Sequence, residues 1–196
     1  RLHHQAKVRL VLSSDDMSQF LHDEVNSIPS IGTPPDGELQ HHSSFIYLRY
    51  FHGPRFQSHG GVLRGIEGGV DGIALMRHQL PATDQFALES EGEEVLLDAL
   101  PMLIEAGFQN AGLAAMESDG FSSLPIGIEW STMLRVPEAE ERLRVRSVKV
   151  ASEDAGVTVH DVVVVGDDDA PVLSLKGLRL KAMGEVPDDQ RFSLPR

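Results

Sequence analysis

One segment constrains the fold of this 196-residue chain more than any other: a single apolar helical segment that precedes an unbroken series of strand-like segments. The segment runs from Glu93 to Met116, and its large apolar side chains mostly recur three or four residues apart, which predicts a buried helix. Pro101 is expected to separate a leading turn from the main helix, because proline suits a first turn and breaks an interior one. A lone apolar helix must be covered by other elements.

The strand-like segments supply that cover. Residues 45–51 are aromatic and β-branched, and the glycine-interrupted stretch 62–76 is expected to form a pair of strands. Four more strands are predicted after the helix, separated by turn-forming residues, over 126–136, 142–151, 157–165 and 172–181. A curved antiparallel sheet that wraps one helix satisfies the packing of α+β layers, so the sequence predicts a hot-dog fold.

The positions of proline, glycine and polar residues also predict the domain boundaries. With 41% hydrophobic residues, the chain has enough apolar material for one domain with its own core. Residues 1–12 end in a short strand, and residues 13–44 are polar and interrupted by proline and glycine, which is typical of a linker. The hot-dog domain is therefore expected at 45–184, followed by a C-terminal tail at 185–196.

Composition excludes several classes of function. A net charge of −13 argues against binding to nucleic acid, and the absence of cysteine excludes disulfides, thiolate zinc sites and cysteine nucleophiles. No apolar run reaches the roughly 20 residues of a membrane span, so we expect a cytoplasmic protein with no membrane partner. No metal site is expected, because none of the histidine pairs is joined by a carboxylate or a third histidine at ligand spacing.

Three motifs, in a fixed order, resemble a known family. They are Phe51-His52-Gly53-Pro54-Arg55-Phe56-Gln57, similar to G-P-x-F-Q; the segment from Leu100 to Gly112, similar to H-P-x-L-L-D-A-x-x-Q-x-x-G; and Leu124-Pro125-Ile126-Gly127-Ile128, similar to L-P-x-x-I. Together they resemble the second, C-terminal hot-dog of polyketide synthase dehydratase domains, closest to the type found in polyunsaturated-fatty-acid and enediyne synthases. The strand within 1–12 would then be the trailing strand of a preceding hot-dog.

The resemblance implies half of an enzyme that removes water from 3-hydroxyacyl chains. The substrate would be carried on the phosphopantetheine of an acyl carrier protein, with no other cofactor. The family's catalytic histidine lies in the first hot-dog, within H-x-x-x-G-x-x-x-x-P, and this chain has no such motif. We therefore expect it to work with a second hot-dog, either the preceding domain of the same polypeptide or a second copy.

The carboxyl group of the site is expected on the helix. Glu105 and Gln109 are four residues apart and share one helix face, so the amide could orient either the carboxyl or the substrate hydroxyl. A positioned carboxylic acid can protonate the departing hydroxyl. Aspartate is usual at this family position, and glutamate is one methylene longer. Asp98 is the alternative carboxyl, and a purely structural role of Glu105 at the helix dipole also stays open.

The resemblance places further residues at the mouth of the site. The substrate-binding candidates are His52, Gly53, Pro54, Phe56, Gln57, Leu124 and Pro125. Among them, Phe56 is favoured as a core residue. Two alternatives to a dehydratase share the same fold: a non-catalytic domain that holds an acyl chain or shapes the megasynthase, and a hot-dog thioesterase or hydratase.

Overall fold

The computed structural model describes residues 39–76, 94–138, 141–153, 156–167, 169–187 and Leu194. The predicted strand within 1–12 and the side chain of Asp98 lie outside the described residues. In chain order the elements are β1 (His41–His42), α1 (Ser43–Tyr47), a 3-10 turn (Pro54–Phe56), β2 (His59–Ile66), β3 (Gly69–Ala74), α2 (Glu94–Asp119), β4 (Phe121–Gly127), β5 (Trp130–Met133), β6 (Leu143–Glu153), β7 (Val157–Val165) and β8 (Pro171–Glu185).

The strands form one antiparallel sheet that covers α2. Their order across the sheet is β1-β2-β3-β6-β7-β8-β4, and β5 also pairs with β8. The main core lies between the helix and the sheet, where Leu103 and Ala106 of α2 pack with Val145, Val164 and Leu175. This single helix wrapped by an antiparallel sheet is the hot-dog arrangement that the sequence predicts.

The long helix differs from its prediction at the proline. α2 continues through Pro101 as one helix, so the expected separation into a turn and a helix is wrong. Pro101 is exposed, and on that side water can satisfy the carbonyl that a missing N–H leaves unpaired. Further along, Gly107 lets α2 approach the sheet closely, because a Cβ there would lie 2.9 Å from Leu175 Cδ1.

Residues 45–51 do not form the predicted strand. Their first part belongs to the short helix α1, whose Ile46 is fully buried in a second apolar cluster with Val62, Val70 and Leu113. Phe45, Tyr47 and Tyr50 pack against the same cluster. Aromatic side chains have only a weak intrinsic preference for strands, and tertiary packing decides the helical conformation here.

The predicted strand at 126–136 is instead two strands. β4 and β5 are separated at Ile128–Glu129, and both pair with β8. The break lies opposite Gly177, which has a left-handed φ of 63° and would bring a Cβ to within 2.7 Å of the Glu129 side chain. β8 has a bulge at this glycine that interrupts the pairing. His160 pairs with Leu178 and Val162 pairs with Leu175, so β8 has one residue more than β7 between these two pairs.

Regular structure reaches beyond the predicted domain limits. β1 and the first residues of α1 lie within 13–44, the stretch predicted as a linker. At the other end, Val186 and Leu194, predicted as tail residues, are buried in the same apolar cluster as Ile46. In the described part of the chain, no helix is long and apolar enough to cross a bilayer.

Candidate functional site

A cavity of about 400 Å³ lies between the α1–β2 connection, the middle of α2 and strand β4. Apolar side chains make up much of its wall, and the α1–β2 connection, α2 and β4 each contribute polar groups. The lining residues are Arg49, Tyr50, Phe51, His52, Glu105, Phe108, Gln109, Gly112, Ser122, Ser123, Leu124, Pro125 and Met183. A mostly apolar pocket with few convergent polar groups is the usual form of a small-molecule site.

Glu105 presents its carboxyl group to this cavity, and two side chains contact one of its oxygens. Its Oε1 accepts a hydrogen bond from Gln109 Nε2 at 2.8 Å and lies 2.9 Å from His52 Nε2. Its Oε2 has no hydrogen-bond partner among the described residues, and the side chain is 21% exposed. The predicted pairing of Glu105 with Gln109 along the helix is therefore present, and the amide contacts the carboxyl.

The orientation of Gln109 follows from its other partners. Its Nε2 donates to the backbone oxygen of Phe56 at 2.6 Å, and its Oε1 accepts from the hydroxyl of Tyr47 at 2.6 Å. A carbonyl oxygen can only accept, so the contact with Phe56 decides which end of the amide is nitrogen. Gln109 is buried, and it must donate to Glu105.

Two tyrosines of the α1 region hold this part of the helix. The Tyr47 hydroxyl also accepts the backbone N–H of His59 at 2.8 Å, while the Tyr50 hydroxyl donates to the backbone oxygen of Gln109 at 3.0 Å. Burial raises the pKa of both phenols well above the usual range, so both remain protonated donors. Tyr50 packs against Gly112, where a Cβ would lie 2.5 Å from its Oη.

A second buried network fixes α2 directly behind the site. Asn110 Nδ2 donates to the backbone oxygen of Val70 at 2.9 Å and to Ser147 Oγ at 2.8 Å, so its Oδ1 faces His59 Nε2 at 2.9 Å. His59 therefore donates from Nε2, and its Nδ1 accepts the N–H of Gly61 at 3.2 Å. Burial lowers the pKa of His59 to about 4, although its bond to Asn110 opposes the shift. The histidine is neutral near pH 7.

Three residues of this site, Tyr47, His59 and Asn110, were not predicted from the sequence. The sequence could have indicated Asn110, because this polar residue follows Gln109 in a helical segment that is otherwise mostly apolar. Buried polar residues are nearly always hydrogen-bonded, so such a position indicates a partner. The identity of that partner, 51 residues earlier in the chain, follows only from the fold.

His52 contacts the carboxyl of Glu105, which the sequence did not predict. Its ring stacks on Phe51 with centroids 5.1 Å apart and meets the edge of Tyr50 at 5.4 Å. Its Nδ1 is buried and has no hydrogen-bond partner among the described residues. The loop before the 3-10 turn therefore places a histidine beside the carboxyl, although the chain lacks the family's H-x-x-x-G-x-x-x-x-P motif.

The other candidate residues divide into two groups. Leu124 and Pro125 line the cavity from β4, whereas Gly53, Pro54, Phe56 and Gln57 are not among its lining residues. Gln57 donates from Nε2 to the backbone oxygen of His52 at 3.1 Å, so it supports the loop that carries the histidine. Phe56 is 53% exposed, and its interpretation as a core residue is therefore wrong. Its contribution is the backbone oxygen that holds Gln109.

Metal ligands do not cluster in the part of the chain that the structure describes. No group of three histidine, aspartate, glutamate or cysteine side chains is close enough to hold an ion there. Hydrogen-bond donors and one carboxyl line the cavity, and a carboxyl group can transfer a proton.

A family model described as the polyketide synthase dehydratase N-terminal domain matches residues 40–190, more than half of the chain. The motifs around Glu105 resemble the C-terminal hot-dog of that region instead. Which of the two hot-dogs the chain represents therefore stays a prediction, as does its similarity to the polyunsaturated-fatty-acid type. No curated protein matches the sequence.

Solved structures share the fold at low sequence identity. The dehydratase domain from the CurF module of curacin polyketide synthase has a TM-score of 0.53 and 17% identity, over 94% of this chain and 55% of that one. A trans-AT polyketide synthase dehydratase domain from Brevibacillus brevis gives 0.54 and 17%, over 74% and 48%. A hypothetical thioesterase with coenzyme A from Streptococcus pneumoniae gives 0.51 and 14%, over 74% and 97%. The match thus spans about half the length of the dehydratase structures, and it shows the hot-dog fold.

Proposed function

Because the chain belongs to the polyketide synthase dehydratase family, we propose that it supplies the acid half of a dehydratase acting on 3-hydroxyacyl chains bound to an acyl carrier protein. The observation that carries the proposal is the carboxyl of Glu105, held through Oε1 by Gln109 at the wall of an apolar cavity. Its Oε2 is left for the substrate. Positioning of this kind is what acid catalysis requires.

The hydrogen bonds also support a position for the proton of the acid form. Gln109 donates to Oε1, so that oxygen acts as the acceptor and the acidic proton resides on Oε2. A base removes the α-proton of the substrate, and the C–H electrons form the double bond while the β-carbon–oxygen bond breaks. The departing hydroxyl takes the proton from Oε2 of Glu105 and leaves as water.

We propose that the base comes from another hot-dog. The Nε2 of His52 faces Glu105, and its Nδ1 is buried, so neither nitrogen of this ring is directed at a substrate in the cavity. His59 is also buried and is engaged with Asn110 and Gly61. The match to about half of the dehydratase structures is consistent with a site completed by a second hot-dog.

The cavity wall supports an acyl substrate. Phe51, Phe108, Leu124 and Met183 offer apolar surface next to the carboxyl, and burial of a chain's methylene groups there is favourable by about 0.8 kcal/mol for each one. We propose that the chain enters on the phosphopantetheine of the carrier protein and that no further cofactor takes part.

The test is elimination of water from a 3-hydroxyacyl pantetheine thioester by the polypeptide that contains this chain and its partner hot-dog. Glu105→Gln keeps the size of the side chain but removes the acid, and we expect a loss of about 100-fold or more in kcat. Glu117→Gln, near the end of the same helix and away from the cavity, is the control and should retain full rate. Unchanged dehydration in Glu105→Gln would disprove the proposal.

A non-catalytic role in holding an acyl chain is the second candidate, and the enclosed Nδ1 of His52 favours it. In that case the chain would bind a saturated acyl thioester with equal affinity before and after Glu105→Gln. Turnover of a 3-hydroxyacyl thioester by this chain alone would exclude the role. Hydrolysis of the thioester without dehydration would indicate a thioesterase instead.

A further inference from the structure

We propose that His52 is a positioning residue for Glu105: together with Gln109 it holds Oε1, and it so directs Oε2 to the substrate. The inference deepens the proposed function and rests on it. Gln109 and His52 both contact Oε1, at 2.8 and 2.9 Å, and nothing among the described residues contacts Oε2. Two contacts on one oxygen restrict rotation of the carboxyl about its terminal torsion, which is otherwise broad.

The tautomer of His52 follows from its surroundings. The Oε1 atom of Glu105 only accepts, and Nδ1 is buried without a partner among the described residues. The proton of the neutral ring is therefore on Nε2, where Glu105 Oε1 accepts it. In this state His52 is a donor to the carboxyl and is not available as a base.

The ring of His52 is itself held in place. Phe51 stacks on it with an interplanar angle of 10°, while the rings of Tyr47 and Tyr50 meet it edge-on at 70° and 79°. Gln57 fixes the backbone oxygen of His52 from the following turn. A donor that is confined by three rings and a backbone contact can impose its position on the carboxyl it contacts.

This arrangement also accounts for glutamate at a position where the family usually has aspartate. Shortening Glu105 by one methylene withdraws the carboxyl by about 1.5 Å. The 2.9 Å contact with His52 would then exceed hydrogen-bond range. We infer that Glu105 and His52 form a matched pair, in which the longer side chain reaches the histidine of the loop.

The activity test compares two variants of His52 in the polypeptide that carries the partner hot-dog. His52→Gln places an amide donor close to the position of Nε2, whereas His52→Phe keeps a ring and removes the donor. A misplaced carboxyl costs on the order of 100-fold in kcat, which is the loss we expect for His52→Phe with little change in KM. His52→Gln should recover most of that rate, and Glu105→Asp should lose rate as His52→Phe does.

His42→Phe is the matched control, because His42 is an exposed histidine of β1 outside the cavity. It should leave kcat unchanged. Equal losses in His52→Gln and His52→Phe, with both variants folded by thermal unfolding, would overturn the inference, because they would mean that the imidazole itself transfers a proton. Full activity of His52→Phe would overturn it as well.

A second measurement separates this inference from the proposed function. Long-range proton–nitrogen correlation spectra of the full chain report the protonated ring nitrogen of His52 without any turnover. We expect a protonated Nε2 whose signals move in Glu105→Gln and stay in place in Glu117→Gln. A protonated Nδ1, or His52 signals that do not move in Glu105→Gln, would refute the contact between His52 and Glu105 even if dehydration is observed. If the signals move as expected but no dehydration is detected, only the proposed function is refuted.

Discussion

At the scale of single residues, the site depends on Gln109, whose side-chain amide has a hydrogen-bond partner at both its oxygen and its nitrogen. Each end of its amide is occupied, by Tyr47 at the oxygen and by Phe56 and Glu105 at the nitrogen. A buried amide with every group paired has one orientation only, and its loss leaves several partners unsatisfied at once. The position of the Glu105 carboxyl therefore depends on a chain of hydrogen bonds. The chain starts at the backbone N–H of His59 in β2 and passes through Tyr47 and Gln109.

The two tyrosines should differ in their effect on this residue. Tyr47→Phe leaves both Gln109 Oε1 and the His59 N–H without a partner, and should lower the free energy of unfolding by about 1–3 kcal/mol. Tyr50→Phe removes a donor from a helix carbonyl that also takes an N–H within the helix, and should cost about 0.5–1.5 kcal/mol. Urea denaturation measures both, and a larger loss in Tyr50→Phe would contradict the account.

At the scale of elements, α2 is pinned to three strands by one buried polar network. Asn110 binds the backbone of β3 and a serine of β6, and His59 brings in β2. Because these bonds occur beside Gln109, they fix the helix at the height of the site. A helix without such contacts could slide on an apolar sheet, since apolar packing has little directional preference.

The stability of this network should depend on pH. The pKa of His59 is lowered from 6.5 to about 4 by burial, so the unfolded chain binds a proton before the folded one does. Stability is then full above about pH 6.5, and it falls by about 3 kcal/mol from His59 as the pH decreases to 4. His160, whose pKa is also lowered to about 4 by burial, adds to the same slope.

Denaturation at a series of pH values checks this expectation. His59→Gln should flatten the dependence between pH 4 and 6.5 while His160 retains its own share. A wild-type free energy of unfolding that is constant across this range would contradict the lowered pKa of both buried histidines.

At the scale of the whole molecule, the sheet ends at β4 with apolar side chains on its outer part. Leu124 and Ile126 are 37% and 57% exposed, and Leu124 also lines the cavity. β4 pairs only with β8 among the described strands. An edge strand of this kind is usually covered, and a second hot-dog is the partner that the resemblance implies.

Light scattering during gel filtration tests that pairing. At high concentration we expect the chain alone to have the mass of a dimer, and Ile126→Glu to shift it towards monomer because a charge would be buried at the edge. Val150→Glu replaces a residue of β6 that is similarly exposed, at 54%, and should not change the mass. A monomeric wild-type chain would count against a symmetric partner.

The sequence by itself determined the features that depend on local pattern. One long helical segment with apolar residues three and four apart predicted a single central helix, and alternating or β-branched runs predicted most of the strands after it. The pairing of Glu105 with Gln109 was also accessible, because a spacing of four residues places two side chains on one helix face whatever surrounds them. Three short motifs in order predicted a dehydratase-family chain, and the family model confirms that membership.

Tertiary structure decided what depends on distant partners. α1 forms where a strand was predicted because Ile46 is buried and Tyr47 reaches Gln109, 62 residues away. Likewise, His52 becomes the partner of Glu105 only because the loop and the helix are brought together by the sheet. Hydrogen bonds between side chains act over about 3 Å, and no pattern of nearby residues encodes which remote group will stand at that distance.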